Sequence, residues 1–352
     1  MMLLIVVFAV ALALALERLT AQRSLDAVRE DFGPTESLVD PDEVFALTYT
    51  LRNARRRPVL FLRLRQDLPE AFHPRDSALI RAPLGDERLE LTTWLRPRQE
   101  ARFTLPLSAD RRGYYPLSAL EVSGGDFLGL RERTRVSPLF RAVTVAPREA
   151  EDPGLEEVLG GFLGEVSVRR FIHEDPVLTA GFREYTGREP MRAISWTQSA
   201  RGLGMMVKIY DHTAQPSVSV LLNADGQGED LARDLEICYS LARTVCRTLE
   251  ERGIQYDFVS NAMELNTFFA VAELGDGLGQ RHFEGVLERL GRSGCQASYP
   301  GERLLERSAA TRSHRGRILI TPGPELDESP ALARLRELTG DNVLVLRARE
   351  AA

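Results

Sequence analysis

The sequence predicts three parts in series: an N-terminal transmembrane helix, an antiparallel β-sandwich, and an α/β domain with a mostly parallel sheet. Three observations carry this reading. Residues 1–16 hold no charge and are almost all aliphatic. From 25 to 148, short β-forming stretches recur between polar turns. From 211 to 352, strand-like runs alternate with helix-periodic ones. A chain of 352 residues is long enough for two domains with their own cores.

The first part is read as an anchor over 1–21. Sixteen helical residues span about 24 Å, short of a hydrocarbon core about 30 Å thick, so the reading needs Glu17 and Arg18 at the interface with Leu19–Ala21 beyond them. A cleaved signal peptide is the alternative. It wants positive charge before its apolar run, whereas Arg18, Arg23 and Arg29 follow it here. The same arginines predict a single-pass cell-membrane protein with its bulk in the cytoplasm.

The sandwich, immunoglobulin-like in the number and shortness of its strands, is expected over 25–148. Strand candidates are 45–51, 59–64, 101–107, 117–122 and 142–145. Arg52, Arg55, Arg56 and Arg57 fall between the first two. They are read as a solvated hairpin loop, with acidic lipid or nucleic acid as the alternative readings.

In the α/β part, strands are expected at 216–222, 254–260, 317–321 and 342–346, and helices at 228–252, 283–290 and 330–338. The helix at 228–252 places Leu231, Leu235, Cys238, Leu241, Ala242, Val245 and Leu249 at intervals of three and four, and Gly253 ends it. Cys238 and Cys246 lie on or near that stripe and read as core thiols. The third cysteine, Cys295, leaves an odd count, so no disulfide framework is expected.

Composition and motifs exclude several classes. A net charge of -6 does not suit a nucleic-acid binder. The five histidines are far apart, and neither HExxH nor a Cys/His zinc spacing occurs. No Gly-x-Ser-x-Gly, no SxxK and no carboxylate pair near a histidine forms a catalytic set. His173-Glu174-Asp175, the one close His–acid cluster, reads as a turn between domains. No catalytic residue, cofactor or small-molecule substrate is therefore expected.

The segment 149–210 carries the distinctive pattern: Arg183-Glu184-Tyr185, then Arg192, Ile194 and Trp196, then Ser199-Ala200-Arg201, then Val207-Lys208-x-Tyr210. It resembles the signature of the bacterial family catalogued as domain of unknown function fifty-eight. Glu189 stands where that family has the Asp of a Gly-Asp pair, with Gly187 displaced. Arg112-Gly113-x-Tyr115, the stretch 125–130 and Val145-Ala146-Pro147 are similar to elements of the family's β domain. The resemblance implies a von Willebrand factor A-like fold over 211–352. It also implies an adaptor or substrate-presenting protein that works with a MoxR-type AAA+ ATPase.

In a von Willebrand A fold the first strand ends in an oxygen-ligand set for Mg²⁺. The matching residues here are Asn223, Asp225 and Gln227, with Pro322 where a later strand often supplies an Asp. A single carboxylate among amides makes a poor Mg²⁺ site, so none is expected. Arg183, Glu184, Tyr185, Glu189, Arg192, Trp196, Ser199, Arg201 and Lys208 are read as an interdomain brace, with capture of an acidic peptide as the alternative. The runner-up functions are an envelope hydrolase and an extracytoplasmic adhesin.

Overall fold

The computed structural model describes residues 25–75, 80–81, 88–125, 132–172, 179–187, 189, 191–201, 204–210, 217–265, 272–310, 315–340 and 342–348. The chain divides into two compact units, 1–148 with 290–292, and 149–289 with 293–352.

The first unit is built from three sheets. One has the order β1 (Val28–Pro34), β3 (Phe45–Asn53), β8 (Glu100–Ala109), β5 (Phe72–Pro74). A second has the order β11 (Glu132–Val136), β10 (Glu121–Gly125), β4 (Val59–Asp67), β7 (Arg88–Leu95), β6 (Ile80–Arg81). A third, β2 (Leu38–Val39), β12 (Arg141–Val145), β9 (Gly113–Leu117), includes one parallel pair, β2 with β12.

The cause of this architecture is visible in β3, where burial strictly alternates and Phe45, Leu47, Tyr49 and Leu51 all point inward. They meet Leu62, Leu64, Leu89, Leu105, Leu107 and Val122 in one core. Polar groups admitted to it are bonded: the Tyr49 hydroxyl donates to Gln66 Oε1 at 2.6 Å, and Gln66 Nε2 donates to the Ser118 carbonyl at 2.6 Å. The strand expected at 117–122 is two strands, β9 ending at Leu117 and β10 starting at Glu121.

The second unit opens with α1 (Pro153–Ile172) and a two-stranded module, β13 (Thr179–Glu184) with β14 (Met206–Tyr210), which holds the short helix α2 (Trp196–Ser199) between its strands in sequence. A mixed five-stranded sheet follows. Its order is β18 (Ala272–Gly277), β16 (Gln255–Ser260), β15 (Ser217–Leu222), β20 (Gly316–Thr321), β21 (Val343–Arg347), with β18 antiparallel and the other neighbours parallel. Four helices accompany it: α3 (Leu231–Glu251), α4 (Gln280–Arg292), α5 (Gly301–Ala310) and α6 (Pro330–Thr339). A small pair, β17 (Ala262–Glu264) with β19 (Ser293–Ala297), completes the elements. Cys238 and Cys246 lie on the buried stripe of α3, and burial pushes the Cys238 thiol up to about 12.

The fold class named from the sequence needs correction. The chain is mostly β, 42% strand against 29% helix. Among the described residues no helix is long and apolar enough to cross a membrane. The expected anchor, 1–21, lies outside the described residues, and its sixteen-residue apolar run is too short for a hydrocarbon core unaided. The single-pass cell-membrane location with a cytoplasmic bulk is withdrawn accordingly. The von Willebrand A designation is withdrawn too. Alternating strands and helices predict an open sheet flanked by helices, and that pattern is common to many folds, so it does not identify one.

Candidate functional site

The signature segment folds as its own small module in the second unit. Arg183, Glu184 and Phe182 pair across to Val207, Met206 and Lys208. The Tyr185 N–H donates to the Met205 carbonyl at 2.8 Å and extends the pairing beyond the strand. Ser199 Oγ donates to the Ser195 carbonyl at 2.9 Å and accepts from the Met206 N–H at 2.9 Å, which ties α2 to β14.

Glu189 closes the turn after β13. Its carboxylate accepts from Thr186 Oγ1 at 2.7 Å and the Thr186 N–H at 3.0 Å, and pairs with Arg183 Nη1 at 2.6 Å. The Thr186 hydroxyl, with Arg183 behind it, holds the Glu189 carboxyl down at about 2. Gly187, at φ 89°, makes that turn in a conformation few side chains tolerate. The acid of the signature is thus a local staple.

Other members of the segment face outward. Trp196 is 61% exposed, Met191 70%, Met205 46% and Phe182 40%. Arg201 is exposed and Lys208 half-buried. The Arg192 side chain lies outside the described residues, as do the His173-Glu174-Asp175 cluster and residues 126–130.

The second set of sequence candidates sits where β15, β16 and β20 end. Asn223 is 1% exposed, and its carboxamide makes all four of its bonds. The oxygen accepts from the Asp225 N–H at 3.0 Å and Asn261 Nδ2 at 2.9 Å. The nitrogen donates to the Asp225 carbonyl at 2.8 Å and Thr321 Oγ1 at 3.2 Å. Asn261, buried as well, accepts from the Ala224 N–H at 2.6 Å and donates to the Tyr299 carbonyl at 2.9 Å. The Asp225 carboxylate accepts from the Gly301 N–H at 3.0 Å, at the positive end of α5. A Cβ on Gly301 would stand 2.7 Å from Asn223 Oδ1, so the helix start approaches the amide as only glycine allows. Gln227 is exposed.

The Asn223 oxygen and one Asp225 carboxylate oxygen are therefore already engaged by N–H donors of the fold. Among the described residues no group of three or more His, Cys, Asp or Glu is placed to hold a metal ion. Calorimetric titration of the full chain with Mg²⁺ or Mn²⁺ is expected to give no saturable micromolar binding. A tight site abolished by Asp225→Ala would overturn this.

A third cluster escaped sequence reasoning. A cavity of about 200 Å³ beside the sheet is lined by Ser219, Asp257, Glu273, Arg307, Arg315 and Arg317. Arg315 grips Asp276 with two bonds of 2.7 and 2.8 Å and lies 3.3 Å from Asp257. Burial raises the Asp257 carboxyl, and Asp276 adds to this against the pull of Ser219 and Arg315. The available signal was a charge inside a strand: Asp257 lies between Tyr256 and Phe258, and Arg317 precedes Ile318-Leu319-Ile320.

No family model matches the chain, and no curated protein matches it. Solved structures match about a third of it. A cohesin module from a Clostridium perfringens family 33 glycoside hydrolase is 12% identical, over 34% of this chain and 96% of that one, with a TM-score of 0.26. A CARDB domain from Pyrococcus furiosus, in complex with di-metal ions, is 15% identical over 34% and 93%, with a TM-score of 0.22. AvmM, which catalyzes macrocyclization in alchivemycin A biosynthesis, is 13% identical over 35% and 92%, with a TM-score of 0.24. Matches at this level identify neither a family nor an activity for this chain.

Proposed function

We propose that this chain is a protein-interaction or scaffold protein, not an enzyme, and that the 179–210 module is its docking surface. The observation that carries the reading is the exposure of Phe182, Met191, Trp196 and Met205 on one small module whose backbone is stapled by Glu189 and Ser199. Exposed tryptophan and methionine on a preorganised backbone are what a binding hot spot requires, because little ordering entropy remains to be lost on association. Exposed Arg201 at the same module adds a forked donor for carboxylates. The partner class favoured by the signature resemblance is a MoxR-type AAA+ ATPase.

The test is a binding measurement between the full chain and a purified MoxR-type AAA+ ATPase from the same source. Trp196→Ala is expected to weaken binding by about 2 kcal/mol, roughly thirty-fold. Its effect on stability should stay within about 0.5–1 kcal/mol, because the side chain is mostly exposed. Undiminished binding by Trp196→Ala combined with Met191→Ala would refute the docking surface. A large fall in melting temperature alongside the loss of binding would instead favour the structural brace.

A further inference from the structure

We infer that the end of the sandwich marked by Asn53 is a peripheral docking surface for an anionic lipid bilayer, touched at its headgroups. Two loops meet at this end, and each crosses from one sheet to the other. The first joins β3 to β4 and carries Arg55, Arg56 and Arg57; the second joins β7 to β8 and carries Arg96 and Arg98. Buried Asn53 fastens them together. Its Nδ2 donates to the Arg57 carbonyl at 2.8 Å and the Arg96 carbonyl at 3.0 Å, and its Oδ1 accepts from the Arg55 N–H at 3.1 Å. The Arg98 N–H donates to the Arg55 carbonyl at 3.0 Å, with Arg98 held at a positive φ of 56°. A rigid frame thus presents arginines that are more than forty positions apart in sequence.

Arg52 and Arg29 extend the same end and stand directly opposite each other across β3 and β1. Like charges in that position destabilise a sheet. All of these arginines are exposed, and none forms an ion pair with a described carboxylate. Among the described residues Glu100 stands opposite Arg52 on its other side, and exposed Asp26 precedes Arg29 by three positions. Elsewhere in the sandwich several arginines are paired: Arg63 with Glu90, Arg88 with Asp67, Arg135 with Glu30, Arg148 with Asp42.

The apolar companions decide which polyanion fits. Val59 and Leu95 are buried partners, so the alternation of the strands turns Leu60 and Trp94 outward beside the arginines, 42% and 53% exposed. The Arg96 guanidinium lies 5.5 Å above the Trp94 ring. A single-stranded nucleic acid needs free aromatic faces for successive bases. Here there is one indole, already covered on one face, and an aliphatic neighbour that cannot stack. Arginine, tryptophan and leucine together suit the boundary between headgroups and acyl chains.

The test is flotation of the full chain with vesicles of phosphatidylcholine alone or mixed about 3:1 with phosphatidylserine. Partitioning onto the serine-containing vesicles is expected to exceed that onto neutral ones at least ten-fold at low salt, and to fall as salt rises. Each arginine near an anionic surface contributes up to about five-fold, so Arg55→Gln, Arg56→Gln, Arg96→Gln and Arg98→Gln combined should remove up to about six-hundred-fold, and the preference for serine-containing vesicles with it. Trp94→Ala with Leu60→Ala should weaken the bound state while leaving its salt dependence. Equal binding to both vesicle types would overturn the inference, as would an unchanged preference in the arginine variant with its melting temperature preserved. Tighter binding of a single-stranded oligonucleotide, lost in the same variant, would overturn it in favour of nucleic acid.

Discussion

Asn223→Asp is expected to destabilise the second unit by about 3–5 kcal/mol. The substitution replaces one heavy atom, but it turns a buried amide nitrogen with two N–H donors into an anionic oxygen. That oxygen would face the Asp225 carbonyl at 2.8 Å and Thr321 Oγ1 at 3.2 Å. The threonine hydroxyl can turn to donate, giving up its contact with the Gly323 carbonyl; the carbonyl of Asp225 cannot. The Asp225 carboxylate lies in the same loop, so a second negative charge would meet the first. At about 2–4 °C per kcal/mol for a unit of this size, the melting temperature should fall by about 10 °C. Asn223→Ala is expected to fall nearly as far, because it leaves the Asp225 N–H and Asn261 Nδ2 without that acceptor. A wild-type melting curve for either variant would mean that the amide knot does not hold the strand ends together. Recovery of Asn223→Asp by added Mg²⁺ would show that the loop retains the geometry of an ion site and lacks only the charge.

Arg317→Met should lower stability by about 2–4 kcal/mol, through a different cause. Arg317 is 2% exposed, the largest of the fully buried side chains among the described residues. Its Nε donates to Ser308 Oγ at 3.0 Å, Nη2 to the Ser308 carbonyl at 3.2 Å, and Nη1 to the Arg315 carbonyl at 3.2 Å. Ser308 lies in the last turn of α5, where carbonyls lack helical partners and the helix end is negative. A buried cation there satisfies orphan acceptors and opposes the dipole. Burial, reinforced by Arg315, holds the guanidinium below its usual range, so the site tolerates the charge at a cost. Methionine would fill much of the volume but leave the carbonyls unbonded. Arg317→Lys should recover less than half of the loss, because an ammonium lacks the planar fork. Melting followed by circular dichroism reads both variants. A methionine variant as stable as wild type would show that the desolvation cost of the arginine cancels its hydrogen bonds.

What the sequence by itself determined is local and periodic. Alternation in 45–53 sets which side chains of β3 enter the core, and spacing of three and four sets the buried face of α3, with Cys238 and Cys246 on it. Four strands of the second unit's sheet were legible as apolar runs with turn boundaries. Other elements were not: α1 over Pro153–Ile172 carries glycines within it, and α5 follows β19 too closely to stand out as a separate period.

The larger assignments went wrong where they depended on more than periodicity. An apolar run too short for a bilayer does not establish an anchor, and strand–helix alternation does not choose among open-sheet folds. Only the tertiary structure decided which side chains act together. Asn223 meets Asn261 and Thr321 because three strands end side by side; Arg96 and Arg98 join Arg55 and Arg56 because Asn53 binds two loops at once. Trp196, which composition alone would place in a dry seam, stands exposed because α2 is tied to β14 through Ser195 and Ser199. A hydrogen bond between residues far apart in the chain leaves no periodic trace in sequence, and the pairing of strands is what brings its two ends within bonding distance.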